Sequence, residues 1–382
     1  MQLSRRPPVY ELPSYSLTAD LLGFLRCGLQ YRYTRLGRLT PSRPVQMWFG
    51  QFVHGVLEEA FRRYALARDA GRDETPPWST STLAEIRDLV KSRLASQGLH
   101  AWDADLEALG DARADAGVNE LGATLFPLIH RAEVRLTGSR TLPPIESALQ
   151  FREADRYEIV GVVDVISHVE LEDSSLQKNL LVQLLTTELG GGMPDEFELI
   201  IDYKGMRRPP IRGAGARPTL WEVYGWQLQT YAHLRRAQED HLPIAVGVIL
   251  YLNELVPTRS DIDQLRKEIA NNHTDVKPAK GSTAETQFAA WSKVGDPLPL
   301  EFRLERAVRI VPVSEATIAH ALNEFDTVVT RIETCRGREL RDGQIVSAWE
   351  KNPSDDATCV ACDSRTFCPS YAKVTVPRLP AA

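Results

Sequence analysis

The chain has 382 residues, 43% apolar and 25% charged, with a formal net charge of −6. That length supports a large core in one elaborated domain or two, and the composition is ordinary for a soluble globular protein. No run reaches the ~18 apolar residues of a membrane span and no apolar signal core follows Arg5 and Arg6, so a cytoplasmic protein without a membrane partner is expected; the acidic balance excludes a uniformly basic nucleic-acid binder but leaves room for a local basic groove.

Residues 17–33 read as a helix started by Ser16 or Thr18, and residues 45–68 as a second, long helix. Residues 70–81, rich in Gly, Pro, Asp and Thr, read as a loop, and 83–96 and 106–136 as acidic helices. Together they make a helical insert over 70–140. From about residue 145 the pattern turns to strands, over 148–153 and 157–169, joined by a hairpin-like turn. Residues 171–196, with Gly190-Gly191-Gly192, read as a flexible excursion before a strand over 198–203. A Pro/Gly/Arg-rich loop (205–218), a helix (221–238), a strand (244–252), a mixed peripheral stretch (256–300), a strand (302–311) and a helix (314–338) complete the chain. Strands framed by helices, without a repeat, predict an α/β core with helical additions: a single elaborated domain over 1–382 with its catalytic core at 145–255.

Two short strings carry charge at the end of apolar runs: Gly161-Val162-Val163-Asp164 and Ile200-Ile201-Asp202-Tyr203-Lys204. A charge at such a place costs several kcal/mol unless it has a partner. Two acids and a lysine point to a metal site, the acids holding a divalent cation and the lysine stabilising charge on a phosphate. Lys204 is two residues from Asp202, so on a strand both face the same way. Four arginines follow at once, Arg207, Arg208, Arg212 and Arg217, and a basic loop there suits phosphate contacts. Arg26, Arg32, Arg35, Arg38 and Arg43, beside Tyr31 and Tyr33, form a second basic stretch that suits single-stranded nucleic acid, with core packing of the tyrosines equally open.

The five cysteines are unevenly spread. An odd count in a cytosolic chain argues against a disulfide framework and for metal binding. Cys359, Cys362 and Cys368 form a C-x-x-C-x5-C cluster within 355–372, one ligand short of a four-thiolate site. Cys27, closing the amphipathic run 17–25, is the natural fourth, while Cys335 reads as a free thiol. Thiolate count alone does not separate zinc from an iron–sulfur cluster. Either would tie the first helix to the far end of the chain.

Taken together, the residues resemble the RecB-like branch of the PD-(D/E)XK nuclease superfamily that carries a 4Fe–4S cluster, the branch of AddB-type nuclease domains and CRISPR-associated adaptation nucleases. The resemblance rests on Cys27 in its helix, on Phe49-Gly50-Gln51-Phe52-Val53-His54-Gly55-Val56-Leu57-Glu58 as a histidine motif, on Gly161–Asp164 as G-x-x-D, on Asp202-Tyr203-Lys204 as D-x-K, on Gln227 to Tyr231 as Q-x-x-x-Y, and on the closing cysteines. It implies a restriction-endonuclease-like core, a mixed central sheet flanked by helices, with a 4Fe–4S cluster on Cys27, Cys359, Cys362 and Cys368 (structural zinc being the alternative). It implies Mg²⁺ or Mn²⁺ on His54, Asp164, Asp202 and the Tyr203 carbonyl, with Lys204, Gln227 and Tyr231 completing the catalytic set. Glu58, one turn from His54, either hydrogen-bonds it or is solvated. The implied activity is hydrolysis of DNA phosphodiesters, on single strands or ends, in repair, recombination or phage defence including CRISPR adaptation. A separate helicase or integrase chain would be the partner, since no Walker-type phosphate loop is present. The alternative is a catalytically silent DNA-binding or scaffold subunit.

Overall fold

The computed structural model describes residues 12–40, 45–143, 154–174, 176–190, 194–212, 219–351, 356–369 and 371. The expected strand over 148–153, the glycines Gly191 and Gly192, and Arg43 and Arg217 lie outside the described residues. The chain divides into two compact units, one made of residues 1–42, 135–161 and 316–382, the other of 43–134 and 162–315.

The second unit is built on strand ends. From Val165 on, β3 (Arg156–Glu170) pairs antiparallel with β4 (Glu196–Lys204), Val165 opposite Ile201. Parallel to β4 runs β5 (Ile244–Tyr251), with Asp202 opposite Ile249 and Lys204 opposite Tyr251, and β6 (Val308–Pro312) closes the sheet antiparallel to β5. A parallel pair needs a crossover, and the helix Leu220–Arg236 supplies it, started by a capping box in which Thr219 and Glu222 bond each other's backbone. This helix packs closely on β5. A Cβ added at Gly247 would stand 2.7 Å from Leu228 Cδ1, so only glycine leaves the helix where it is. Both β4 and β5 are almost wholly buried, as a mixed sheet flanked by helices requires.

The helix Val45–Asp69 lays Phe52, Val53, Val56 and Leu57 into the core, where they join Val165, Ile201, Val248 and Leu250 of the strands. Its Gly55 admits Val90 of the neighbouring helix Thr80–Ser96: a Cβ there would lie 2.9 Å from Val90 Cγ1. Ser79 caps that helix, and Asp103 caps the helix Ala104–Ala116 by accepting from Leu106 N at 2.8 Å. Residues 259–302 add the helices Arg259–Ala270 and Thr283–Ala290 and a smaller cluster of Ile262, Leu265, Phe288, Trp291, Leu298 and Phe302.

Three sequence expectations are corrected. The helical reading of 106–136 runs too far, because β2 (Ile129–Thr141) already starts at Ile129. Residues 171–196 contain a helix, Leu180–Leu189, whose first N–H groups are taken by the Asn179 side chain. Of the strand expected over 302–311, only Val308–Pro312 is strand, because Leu300–Ala307 is a helix that buries Phe302 and Ala307.

In the first unit, β1 (Ser14–Ser16) runs parallel to the opening of β3, Tyr15 opposite Ile159. Helical turns follow over residues 17–36, with Ser16 Oγ accepting from Ala19 N at 3.3 Å. They break at Cys27, whose backbone is extended (φ −165°, ψ 112°). The long helix Glu315–Asp342 anchors the unit through buried pairs. Arg32 grips Glu339 at 2.8 and 2.6 Å, Arg140 grips Asp326 at 2.8 and 2.7 Å, and Tyr157 donates to Asp326 at 2.7 Å. Arg32 is thus a buried structural cation and Tyr31 and Tyr33 are buried, so the tyrosines pack inside, while Arg35, paired with Asp20, and Arg26 and Arg38 remain exposed. Among the described residues, no helix is long and apolar enough to cross a membrane.

Candidate functional site

Asp164 and Asp202 stand on neighbouring antiparallel strands of the second unit, and Lys204 closes β4. The backbone N–H of Tyr203 donates to Asp164 Oδ2 at 2.7 Å, so the strand that carries one acid orients the other. His54, on the helix Val45–Asp69, puts Nδ1 3.7 Å from the same oxygen. Its ring meets the Tyr203 ring edge-on at 5.7 Å, and the Tyr203 carbonyl stands where the imidazole can bond it.

One amide ties the rest together. Gln227 Oε1 accepts from Lys204 Nζ at 2.9 Å, while its Nε2 donates to Asp202 Oδ1 at 3.1 Å and to the Tyr231 hydroxyl at 2.8 Å. Gln227 and Tyr231 share a helix face because they are four residues apart. Lys204 Nζ also lies 2.5 Å from Asp202 Oδ2, off the hydrogen-bonding direction, so that oxygen is buried without a hydrogen bond. The ammonium pairs the charge of that oxygen, and a hard cation would compete with it for the same carboxylate.

The electrostatics reflect this crowding. Burial first, then the Asp202 carboxylate, push the Asp164 carboxyl up to about 8, against smaller downward pulls from the Tyr203 N–H and Lys204. Burial, with Lys204 assisting, pulls the His54 imidazole below its ordinary value although the side chain is 29% exposed. Both groups are therefore disposed to take a cation, because the neutral imidazole is the ligating form and a dication would displace the carboxyl proton.

The sequence reading missed two neighbours. Glu133 of β2 lies near enough to Asp164, Glu58, His54 and Asp202 to feel each charge, and although its side chain is exposed, partial desolvation with those acids lifts it to about 7. It holds a left-handed backbone (φ 52°), unusual for a residue with a side chain. Reading 106–136 as helix hid it. Tyr224, three residues before Gln227, sets its ring 4.5 Å from Lys204 Nζ.

The arginine loop departs from expectation. Arg208 is buried, with Nε on Asp275 at 2.8 Å and Nη1 on the Val308 carbonyl at 2.9 Å. Arg207 pairs with Glu268. Both guanidinium groups are thus held by acids and largely covered, and among the described residues of this loop Arg212 is the exposed arginine. Glu58 pairs with Arg62 at 2.8 Å and lies 3.9 Å from Arg93.

Within the first unit, Cys27, Cys359, Cys362 and Cys368 line one largely apolar cavity with Leu29, Tyr33 and Tyr371. None of the five cysteines is in a disulfide, and Cys335 is buried away from that lining. Burial raises the Cys362 thiol, and the Cys27 and Cys368 sulfurs add to the rise. No three of these sulfurs lie within 4.8 Å of one another. A separate trio, His168, Glu170 and Glu196, does meet that spacing on the rim of β3 and β4, and two of the three are exposed.

Residues 19–176 match the model of the PD-(D/E)XK nuclease superfamily, and no curated protein matches the chain. A nuclease of that superfamily is a phosphodiester hydrolase. The matched span holds His54, Glu133 and Asp164, and stops before Asp202, Lys204 and Gln227.

Proposed function

We propose that the chain is a divalent-metal-dependent deoxyribonuclease whose catalytic set is Asp164, Asp202, Lys204, Gln227 and Tyr231, with His54 and the Tyr203 carbonyl as further ligands. The carrying observation is the single Gln227 amide that bonds Lys204 and Asp202 at once, with the Lys204 ammonium paired to the other Asp202 oxygen. Mg²⁺ or Mn²⁺ held there would polarise a phosphoryl oxygen and make water a competent nucleophile at neutral pH. The residues supply the rest. Lys204 brings a positive charge to the phosphate and stabilises the charge that develops on it. Gln227 fixes that ammonium and the Asp202 carboxylate in one orientation, and the Tyr203 N–H does the same for Asp164. A donor set of carboxylates, a carbonyl and one imidazole tilts the choice from Mg²⁺ toward Mn²⁺.

The same reading gives Cys27, Cys359, Cys362 and Cys368 a 4Fe–4S cluster. Support comes from their common cavity, with structural zinc on the same thiolates as the alternative. Single-stranded DNA or DNA ends, a role in repair, recombination or phage defence, and a separate helicase or integrase partner follow from the resemblance of the motifs, with Arg212 as the arginine free to meet phosphate.

The test is cleavage of single-stranded and duplex DNA by purified full-length protein with Mn²⁺, with Mg²⁺ and with EDTA. Metal-dependent cleavage is expected. DNA binding that persists in EDTA, with no cleavage under any metal, would instead establish the silent binding subunit.

A further inference from the structure

The segment that follows Lys204 ends in a buried, charge-balanced network. Arg207, Arg208 and Arg306 face Glu254, Glu268 and Asp275, three cations against three acids. Glu254 accepts from the Arg208 backbone N–H at 2.7 Å and from Arg306 at 2.6 and 2.8 Å. Arg208 reaches the carbonyls of Arg306 and Val308 at 3.2 and 2.9 Å, and its guanidinium lies 5.3 Å from the Trp221 ring at the start of the Gln227 helix. The loop is pinned again where Ile211 N donates to the His273 carbonyl at 2.9 Å.

Such a network is a poor device for stability alone, since buried ion pairs of this kind can be replaced by apolar side chains with little loss. Its position gives it a different use. Lys204 is the last residue of β4, fixed on one side by its pairing with Tyr251 of β5. Four residues later the chain is fixed again by Arg208. The lysine therefore sits between two anchors, and the second also touches the helix that carries Gln227.

We propose that this network is a positioning device for Lys204 and Gln227, which makes Glu254, Asp275 and Arg306 required for catalysis although none touches the substrate. The inference rests on the nuclease reading for its catalytic consequence. Its structural consequence, a held loop over 204–212, stands apart from it.

The experiment uses the full chain with Glu254→Gln and Asp275→Asn, both near-isosteric; Asp275 is 32% exposed, so its change is the one most certain to fold. Hydrogen exchange over residues 204–212 should quicken in both variants. Single-turnover cleavage at saturating DNA should fall about 10- to 100-fold, the cost of a misplaced catalytic group, with KM for DNA and Mn²⁺ affinity unchanged. Wild-type exchange and wild-type turnover in both variants would overturn the network while leaving the nuclease reading intact. If the wild type itself cleaves nothing, the nuclease reading fails, and exchange over 204–212 alone decides the network: quickened supports it, unchanged overturns it.

Discussion

The carboxylate–lysine site and the cysteine cavity are both made of ionisable side chains, yet they are built differently. Asp164, Asp202, Lys204 and Gln227 come from strand ends and one helix, and hydrogen bonds hold them before any cation arrives. Cys27 and the residues 359–368 come from distant parts of the sequence and meet around an apolar cavity. A site preformed by its scaffold gains chemistry from a metal. A site assembled from distant segments gains fold from one, because binding free energy there is folding free energy. Loss of metal should therefore separate the two: the first loses activity, the second loses stability.

The largest effect expected is on turnover. Lys204→Ala should lower single-turnover cleavage by about 10²- to 10³-fold, as when one preorganised stabiliser of developing charge is removed, while circular dichroism stays that of the wild type. A loss below threefold would mean that Lys204 is not the charge that meets the phosphate. Next comes Cys27→Ser, which, on the proposed cluster, should lower iron content and reduce stability by on the order of several kcal/mol, the scale of a structural metal site. Unchanged metal content and melting temperature would break the comparison on its cysteine side.

A smaller effect lies in pH. In metal-free protein the Asp164 carboxyl is raised from 3.8 to about 8 and Glu133 from 4.5 to about 7. The folded state thus binds more protons than the unfolded one between those values, so its stability should fall as pH rises from about 4 to about 8. Divalent affinity should rise over the same window, as the cation competes with those protons. Asp164→Asn should flatten most of the stability slope in thermal melts, and an unchanged slope would remove Asp164 as its source.

Much of the site is legible in the sequence because two periods decide it. Residues two apart on a strand face one way, which brings Asp202 and Lys204 together. Residues four apart on a helix do the same for Gln227 and Tyr231. Glu133 escapes because Ala132 and Leu136 fit a helical spacing as well as the alternation of a strand, and a short apolar pattern does not separate them. Arg208 escapes for another reason. A loop rich in Arg, Pro and Gly reads as solvated, while the partners that bury it, Glu254, Asp275 and the Val308 carbonyl, stand 46 to 100 residues further on. Periodicity carries no record of such pairings. The helix at residues 300–307 is lost to the same kind of ambiguity as β2, since Phe302 and Leu304 alternate as a strand would while Phe302 and Arg306 share a buried helical face.

The most direct measurement of the central claim is Mn²⁺ binding and DNA cleavage on the same samples of wild type and Asp202→Asn. Wild type should bind Mn²⁺ and cleave with a divalent cation but not in EDTA, and the variant should lose both while its fold is retained. Cleavage by wild type in EDTA, or wild-type cleavage by Asp202→Asn, would contradict the assignment of this site.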